Sequence, residues 1–346
     1  MTGRGAGVLA ERLTAQLLAG PPARDPVAVA ERLLAVQGQD PRGARLAVRS
    51  RTRGLTVADV DRALTHDRTL LITWLNRGTL HLVRSEDYAW LHSLTAPSLF
   101  TGNARRLGQE GVDADAAERG VAAVERALSD EGPLTRAQLR ERIEAARVRT
   151  EGQALVHVLM LASLRGLVVR GPVVGREHAY VLVRDWLGEP RAVDRDAALA
   201  ELARRYLTGH GPASDRDLAR WAGLPLRDAR AGLAAIASEL DERDGLVDLA
   251  GRAPAGEPTP PRLLGSFDPV LLGWTSRAPL LGDEEQRLVT SNGLFRPFAL
   301  VGGRGVATWR LRGRDVEIEP FRRIARADLA ALEADGEDVL RYLSPR

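Results

Sequence analysis

Two glutamines separated by one glycine, Gln37-Gly38-Gln39, are the residues of this sequence best placed to do chemistry. They follow an apolar helical run and directly precede Asp40-Pro41, which predicts the start of a new helix. A carboxylate there accepts hydrogen bonds from free backbone N–H groups, and the fixed φ of proline suits the first helical residue. The pair would then lie beside the positive end of a helix dipole, which suits a phosphate backbone, although glutamine pairs are also common on solvated surfaces.

Arginines on the helix that follows support an anionic partner. Arg42, Arg45 and Arg49 are spaced by three and four residues, so they share one helical face and are predicted to contact DNA. All 49 basic residues are arginine, which a GC-rich genome would also favour, yet the net charge is only +3. A local basic stripe on a nearly neutral protein indicates an anionic partner on one face.

Length and composition limit the class of protein. A chain of 346 residues can bury a sizeable core and is expected to hold about two or three modules. The absence of cysteine excludes disulfides and thiolate sites, and six scattered histidines argue against zinc, so we expect no metal and no cofactor. No stretch has the length of a membrane helix and no secretory core precedes Gly20, so we expect a cytoplasmic protein with no membrane partner.

Three similar segments predict an internal repeat. Each begins with a hydroxyl residue, Thr56, Thr135 or Ser214, followed three residues later by an acceptor side chain and then by an amphipathic pattern. This is the signature of a capped helix start, and the three starts are equally spaced along the chain.

The second copy shows the predicted unit most clearly. Helices over 135–146 and 151–165 are followed by strands over 167–169 and 179–183 that a Gly/Pro turn joins, the order of a winged helix-turn-helix. The third copy has predicted helices over 197–207, 214–222 and 225–240 and a hairpin near Gly245. The first copy has a predicted hairpin of strands 69–75 and 79–83, with its turn at Asn76-Arg77-Gly78.

A proline-rich linker over 253–261 separates these copies from a predicted small β domain. Its predicted strands and closing helix cover 263–272, 295–301, 305–311, 315–318 and 326–342. The fold class is therefore predicted to be α+β, mainly α, with three tandem winged-helix units and a C-terminal β-rich domain. The predicted boundaries are 1–112, 113–190, 191–252 and 262–346.

Four single residues allow two interpretations each. Arg77 at a wing tip suits a minor-groove or phosphate contact, but is also an ordinary turn residue. His81 either faces DNA or is a half-buried imidazole, which we favour, and Arg277 lies either in a hairpin that reaches into a duplex or in a surface loop. Asp268 is the best isolated carboxylate for chemistry, but Asp-Pro more often starts a turn.

Together these elements resemble one family, the AlkZ-like winged-helix DNA glycosylases, which include YcaQ-type proteins. The similar elements extend over nearly the whole chain: Gln37-Gly38-Gln39, Arg77-Gly78-Thr79-Leu80-His81, Gly211-Pro212-Ala213-Ser214, Asp217-Leu218-Ala219-Arg220-Trp221, Phe267-Asp268-Pro269-Val270-Leu271-Leu272-Gly273-Trp274, Arg296-Pro297, Leu300-Val301 and Thr308-Trp309.

The resemblance implies a C-shaped monomer that grips double-stranded DNA and hydrolyses the N-glycosidic bond of bulky N7-alkylguanines, including interstrand cross-links. Its catalytic motif corresponds to Gln37 and Gln39. The second glutamine places the chain in the AlkZ branch, several of whose members protect antibiotic producers, since the YcaQ-type branch has aspartate there. The middle position, usually aliphatic in the family, is Gly38 here, and its added backbone freedom could loosen the placement of both amides.

The expected chemistry is compatible with two amides. Glutamine cannot act as a base near neutral pH, but an N7-alkylguanine is already cationic and leaves as a neutral base, so only a water molecule has to be guided to C1′. No lysine is present for Schiff-base lyase chemistry, so we expect a monofunctional glycosylase. The alternatives are a non-catalytic winged-helix regulator, which we would expect to dimerise, and a glycosylase for a different, smaller lesion.

Overall fold

A computed structural model describes residues 3–175, 177–189, 192–290 and 293–344. The fold is α+β: about half of the chain is helical and the strands form small antiparallel sheets. The chain divides into two compact units. Unit 1 comprises Met1–Val60, Leu199–Trp221 and Pro225–Arg346, and unit 2 comprises Asp61–Ala198 and Ala222–Leu224. The predicted boundary between 190 and 191 lies outside the described residues.

The helices are, in chain order, α1 (Gly3–Ala15), α2 (Pro26–Leu33), α3 (Pro41–Arg49), α4 (Val57–Thr65), α5 (Tyr88–Thr95), α6 (Phe100–Gln109), α7 (Ala114–Glu131), α8 (Arg136–Ala145), α9 (Ala154–Leu164), α10 (Val183–Leu187), α11 (Arg195–His210), α12 (Asp215–Ala222), α13 (Leu226–Ala235), α14 (Ala278–Leu281), α15 (Glu285–Leu288) and α16 (Arg326–Leu343). Short 3-10 helices cover Ser85–Asp87, Ala96–Leu99, Ala237–Glu239, Pro269–Leu271 and Gly282–Glu284.

The strands are β1 (Val36–Gln37), β2 (Leu70–Leu75), β3 (Thr79–Arg84), β4 (Val168–Val174), β5 (Glu177–Leu182), β6 (Leu240–Arg243), β7 (Leu246–Leu249), β8 (Arg262–Leu264), β9 (Phe298–Val301), β10 (Arg304–Arg312) and β11 (Asp315–Pro320). In unit 2, strands β3, β2, β4 and β5 lie side by side in that order. Unit 1 contains the hairpin β6–β7 and a four-stranded antiparallel sheet in the order β11, β10, β9, β8.

The three predicted capped helix starts are confirmed. Thr135 and Gln138 form a reciprocal capping box at the start of α8. Ser214 and Asp217 exchange the same two hydrogen bonds at α12, of 3.0 and 3.2 Å. At α4 the Asp59 carboxylate accepts from the backbone N–H of Thr56 at 2.7 Å. Each cap satisfies backbone donors that the first helical turn leaves unpaired.

The second and third copies have the predicted order of helices and hairpin. In unit 2, α7, α8 and α9 precede the hairpin β4–β5, and Leu134 forms a bridge with Tyr180 of β5. Similarly, α11, α12 and α13 precede the hairpin β6–β7, and Ala213 forms a bridge with Val247 of β7. In both copies the residue just before the second helix therefore pairs with the hairpin.

The first copy differs from the other two. Helix α4 is followed directly by the hairpin β2–β3, since residues 66–69 form no further helix, whereas α8 and α12 are each followed by another helix. The predicted hairpin of the first copy is thus present, but its capped helix is the one directly before the hairpin, unlike those of the other two copies. A capping signal fixes where a helix starts, but not the place of that helix within a larger motif.

Two predicted strand boundaries are corrected by local backbone geometry. The predicted Gly/Pro turn of the second copy is a register shift inside β4, between Arg170 and Val173, and the strand continues to Val174. The predicted strand 263–272 ends at Leu264, because Asp268 caps the 3-10 helix Pro269–Leu271 by accepting from the Val270 N–H.

The C-terminal sheet and α16 enclose a hydrophobic core that also includes one residue of α3. Leu46 is 1% exposed and packs with residues of β8–β10 and α16, namely Leu263, Ala299, Val306, Ala307, Trp309, Leu332 and Val339. The N-terminal helix that follows the glutamine motif is thus anchored by the C-terminal part of the chain.

Candidate active site

The glutamine motif lies in an extended segment between α2 and α3. The segment begins after Leu34, whose positive φ of 64° ends α2. Gln37 is only 6% exposed, and its Oε1 has no hydrogen-bond partner among the described residues. Gln39 is exposed. A buried carbonyl oxygen without a protein partner costs free energy unless it accepts a hydrogen bond from another molecule, so the Gln37 Oε1 is a candidate acceptor for water or substrate.

Helix α3 begins as predicted, directly after the motif. Asp40 is its N-cap and accepts from the backbone N–H of Arg42 at 3.0 Å, and Pro41 occupies the first turn. The positive end of the α3 dipole therefore lies next to Gln39.

A glycine allows α3 to approach a second segment closely. A Cβ placed on Gly43 would lie 2.4 Å from the backbone oxygen of Ser266 and 3.2 Å from Asp40 Oδ2. Gly265 is also tightly packed, since its Cβ would lie 3.0 Å from the Leu46 Cβ. Residues 265–268 are therefore packed against the first half of α3, with no room for a Cβ at Gly43 and little at Gly265.

A buried ion pair fixes the same segment to the residues that follow α3. Arg51 and Asp268 are both fully buried, and the guanidinium donates to the two carboxylate oxygens at 2.8 and 2.9 Å. Arg51 also donates to the Gln16 backbone oxygen at 2.7 Å. The turn interpretation of Asp268 is thus confirmed, and its carboxylate is held by Arg51; nothing in the sequence pattern indicated that partner.

The predicted basic stripe divides into two groups. Arg42 is exposed, and Arg45 is half-buried with its Nη1 donating to the Pro41 oxygen at 3.0 Å. Arg49 is 3% exposed and donates to Asp335 and Asp338, each at 2.9 Å. Burial alone would lower the pKa of Arg49, but the hydrogen bond and attraction of Asp335, with help from Asp338, raise it. This corrects the prediction for Arg49, because a guanidinium buried between two carboxylates offers no donor to a phosphate.

Two predicted DNA contacts lie on the β2–β3 hairpin of unit 2. Arg77 is exposed in the turn, where Asn76 and Gly78 have positive φ values of 52° and 81°. His81 is 4% exposed and its Nδ1 lies 2.9 Å from the Thr79 oxygen. Burial lowers the pKa of His81 to about 4, the Thr79 hydrogen bond opposes this shift, and the charge of Arg77 adds to it. Of the two interpretations of His81, the structure therefore supports the buried imidazole. Because this imidazole is neutral and buried, the prediction that His81 contacts DNA is corrected.

Of the two interpretations of Arg277, the structure supports a loop and not a hairpin. The segment connects the 3-10 helix Pro269–Leu271 with α14 and contains no strand. Arg277 donates to the Leu271 oxygen at 2.7 Å and to Glu285 at 2.9 Å, and its guanidinium lies 5.0 Å from the centre of the Phe295 ring. Its side chain is 18% exposed and therefore packs within the protein.

Within the described ranges, no three His, Cys, Asp or Glu side chains are grouped so that they could hold a metal ion. None of the described helices has both the length and the apolar character that crossing a membrane requires.

Comparison with known proteins defines the class of protein to which this chain belongs. The family model of the DNA glycosylase AlkZ-like proteins matches residues 30–342. The chain therefore belongs to the DNA glycosylase AlkZ-like family, and it is a DNA N-glycosylase whose substrate is DNA. The family favours an enzyme over the alternative of a non-catalytic regulator.

Two particular relatives come from Streptomyces sahachiroi. An interstrand DNA cross-link repair glycosylase is 28% identical over 339 residues, which cover 90% of this chain and 89% of that protein. The solved structure of the DNA glycosylase AlkZ matches with a TM-score of 0.80 and 27% identity, covering 97% of this chain and 96% of that one.

Proposed function

We propose that this glycosylase hydrolyses the N-glycosidic bond of N7-alkylguanines in double-stranded DNA, with Gln37 and Gln39 as its catalytic residues. The observation that carries the proposal is the buried, unpartnered Oε1 of Gln37, two residues before an exposed glutamine and the N-terminus of α3. The cross-link repair activity named for the relative supports bulky adducts and cross-links as the lesions.

The proposed reaction needs no protonation of the leaving group. Alkylation at N7 gives the guanine a positive charge, so the electron pair of the C1′–N9 bond moves to the base, which leaves neutral. Water then forms a bond to C1′ and loses its proton to solvent, leaving an abasic site. The developing positive charge on the sugar is the quantity that the enzyme must stabilise.

Each amide has a distinct place in this scheme. The Gln37 Oε1 accepts a hydrogen bond from the water molecule and faces the developing charge with its negative end. The exposed Gln39 holds the same water from the solvent side. Arg42 and the positive end of α3 bind the phosphate beside the lesion, and Arg77 binds phosphate or minor groove from the β2–β3 turn.

Other parts of the proposal concern organisation and biology. The order of helices and hairpins in residues 113–190 and 191–252 supports winged-helix units, preceded by a first unit over 1–112 and followed by a β-rich domain over 262–346. We propose that the protein acts as a monomer on nucleoid DNA. Self-resistance of an antibiotic producer to its own alkylating product is the biological role that fits cross-link repair.

The test is base release from an oligonucleotide that carries a single N7-methylguanine, or a bulky N7 adduct, at a defined position. Gln37→Ala and Gln39→Ala are each expected to slow release by about 2–4 kcal/mol of barrier, which is about 30- to 1000-fold. Gln109→Ala is the matched control, because Gln109 is an exposed glutamine on α6. Undiminished release by the Gln37→Ala, Gln39→Ala double variant would refute the assignment of the catalytic residues.

A further inference from the structure

Phe267 has a backbone conformation that is unusual for a large side chain. Its φ is +57°, in the left-handed region where glycine is the favoured residue. A bulky residue is retained in this region only when its surroundings hold it there, and such residues are concentrated at functional sites. The ring is only half-buried, so burial of the ring in a core does not explain it.

The surroundings hold Phe267 on both sides. On one side, the Ser266 carbonyl packs against Gly43 of α3, in the contact where no Cβ fits. On the other side, Asp268 is bound by Arg51 through two hydrogen bonds and also caps the following 3-10 helix. One contact is with Gly43 of α3 and the other is with Arg51, two residues after the end of α3. The position of Phe267 is therefore linked to the helix that follows the glutamine motif.

The location of Phe267 is next to the start of α3. The Ser266 oxygen and the Asp40 carboxylate both lie within 3.2 Å of the point where a Gly43 Cβ would be. Asp40 follows Gln39 directly, so the residue after Ser266 lies beside the turn that carries the proposed catalytic pair.

Phe267 has an aromatic partner with a fixed position. The Phe267 and Phe295 ring centres are 5.3 Å apart with an angle of 53° between the ring planes. The Phe295 ring packs against the Arg277 guanidinium at 5.0 Å, and Arg277 is itself held by Leu271 and Glu285. Phe295 is also half-buried. Two partly exposed rings with little freedom to move are suited to stacking, because little conformational entropy is lost on binding.

We propose that Phe267 and Phe295 form an aromatic platform that binds the planar aromatic substituent of an N7-alkylguanine adduct. This inference rests on the proposed function and adds two specificity-determining residues to it, which favour adducts with a fused aromatic group at N7 over N7-methylguanine. Stacking of a base on an aromatic side chain contributes about five- to a hundredfold in affinity, which sets the size of the expected effect.

The test compares Phe267→Leu and Phe295→Leu with the wild-type protein on two duplexes of the same sequence. One carries N7-methylguanine and the other carries the N7-guanine adduct of an acridine half-mustard. Leucine keeps the apolar character and, at position 267, meets the same backbone restriction as phenylalanine, so planarity is the property that is lost. The matched control is Phe321→Leu, because Phe321 is another half-buried ring beside an arginine, with Arg287 at 5.4 Å.

The expected result is a loss of about tenfold in kcat/KM for the acridine adduct in each variant. Release of N7-methylguanine should change less than twofold, and the Phe321→Leu variant should resemble the wild type on both duplexes. Equal losses on both duplexes, or no loss on either, would overturn the platform.

Binding measurements separate this proposal from the proposed reaction. In fluorescence anisotropy titrations, the wild type should bind the acridine-adduct duplex more tightly than the undamaged duplex, and the two leucine variants should lose most of that preference. If the wild type releases no base but the binding preference behaves in this way, the proposed reaction fails while the platform stands. A binding preference that is absent, or unchanged in the variants, refutes the platform whatever the activity.

Discussion

The substitution Gly43→Ala has two opposing effects on the stability of the protein, and the structure shows which is larger. In an open helix, replacing glycine by alanine stabilises a protein by about 0.5–1 kcal/mol, because alanine loses less backbone entropy on folding. At Gly43 the added Cβ would lie 2.4 Å from the Ser266 oxygen, and real Cβ atoms essentially never approach another atom within 3.0 Å. The contact partner is backbone, so it cannot rotate away.

The expected cost follows from what must move. Either α3 or residues 265–268 must shift by about 1 Å, and the segment is held by the buried Arg51–Asp268 pair. Overpacking of this kind costs about 1–3 kcal/mol, which outweighs the gain in helix propensity. We therefore expect a net destabilisation of about 1–2 kcal/mol, together with a loss of base release because the α3 N-terminus moves relative to the glutamine motif.

The assay is thermal and urea unfolding of Gly43→Ala beside Gly7→Ala. Gly7 is also helical and lies in the same unit, but a Cβ there meets nothing within 4 Å. Gly7→Ala should leave the Tm unchanged or raise it, whereas Gly43→Ala should lower the Tm by about 2–6 °C. A Gly43→Ala protein as stable and as active as Gly7→Ala would refute the close approach of α3 and residues 265–268.

Two further predictions concern charge. Arg42→Ala should weaken DNA binding and reduce the slope of log K against log salt by about one, because one phosphate contact is lost. Arg49→Met should leave that slope unchanged but cost about 1–3 kcal/mol of unfolding free energy, since the buried Asp335 loses the Arg49 guanidinium and keeps Arg262, at 3.2 Å, and the Leu263 N–H, at 2.7 Å. An equal change of the salt-dependence slope in both variants would contradict the conclusion that Arg42 is free to bind DNA whereas Arg49 is not. Because His81 has a folded pKa of about 4 against 6.5 when unfolded, the unfolded chain binds the extra proton, so the contribution of His81 to stability is full above about pH 6.5 and is reduced by about 2 kcal/mol at pH 5. Urea unfolding at pH 7 and pH 5 should show a decrease for His81→Gln that is about 2 kcal/mol smaller than for the wild type, in which the buried His210 also titrates, and an identical decrease would show that His81 does not contribute.

Local signals in the sequence predict much of this fold. The start of α3 at Asp40-Pro41, the capping pairs of α4, α8 and α12, and the hairpin turn at residues 76–78 are all specified within a few neighbouring residues. Such interactions are formed by the local chain whatever surrounds it, so composition and spacing are sufficient to locate them.

The fate of the arginines could not be predicted in the same way. Helical spacing correctly places Arg42, Arg45 and Arg49 along one helix, α3. The spacing does not tell which of these side chains other parts of the protein bury. Arg49 is covered by Asp335, 286 residues further along the chain. A helical pattern over a few turns contains no information about a partner so distant in sequence, and for the same reason the contact between the Phe267 and Phe295 rings is visible only in the structure.

The anchoring of α3 has a consequence for the synthesis of the protein. Helix α3 is translated well before its anchors, because Asp268 and Asp335 lie 217 and 286 residues after Arg51 and Arg49. Contacts of such high sequence separation form late, because the loop-closure entropy must be overcome first. Helix α3, which follows the glutamine motif, therefore gains its final position only after α16 has been translated. Under the proposed function, a chain truncated before α16 carries both glutamines without the contacts that position α3, so we expect it to release no bases from DNA.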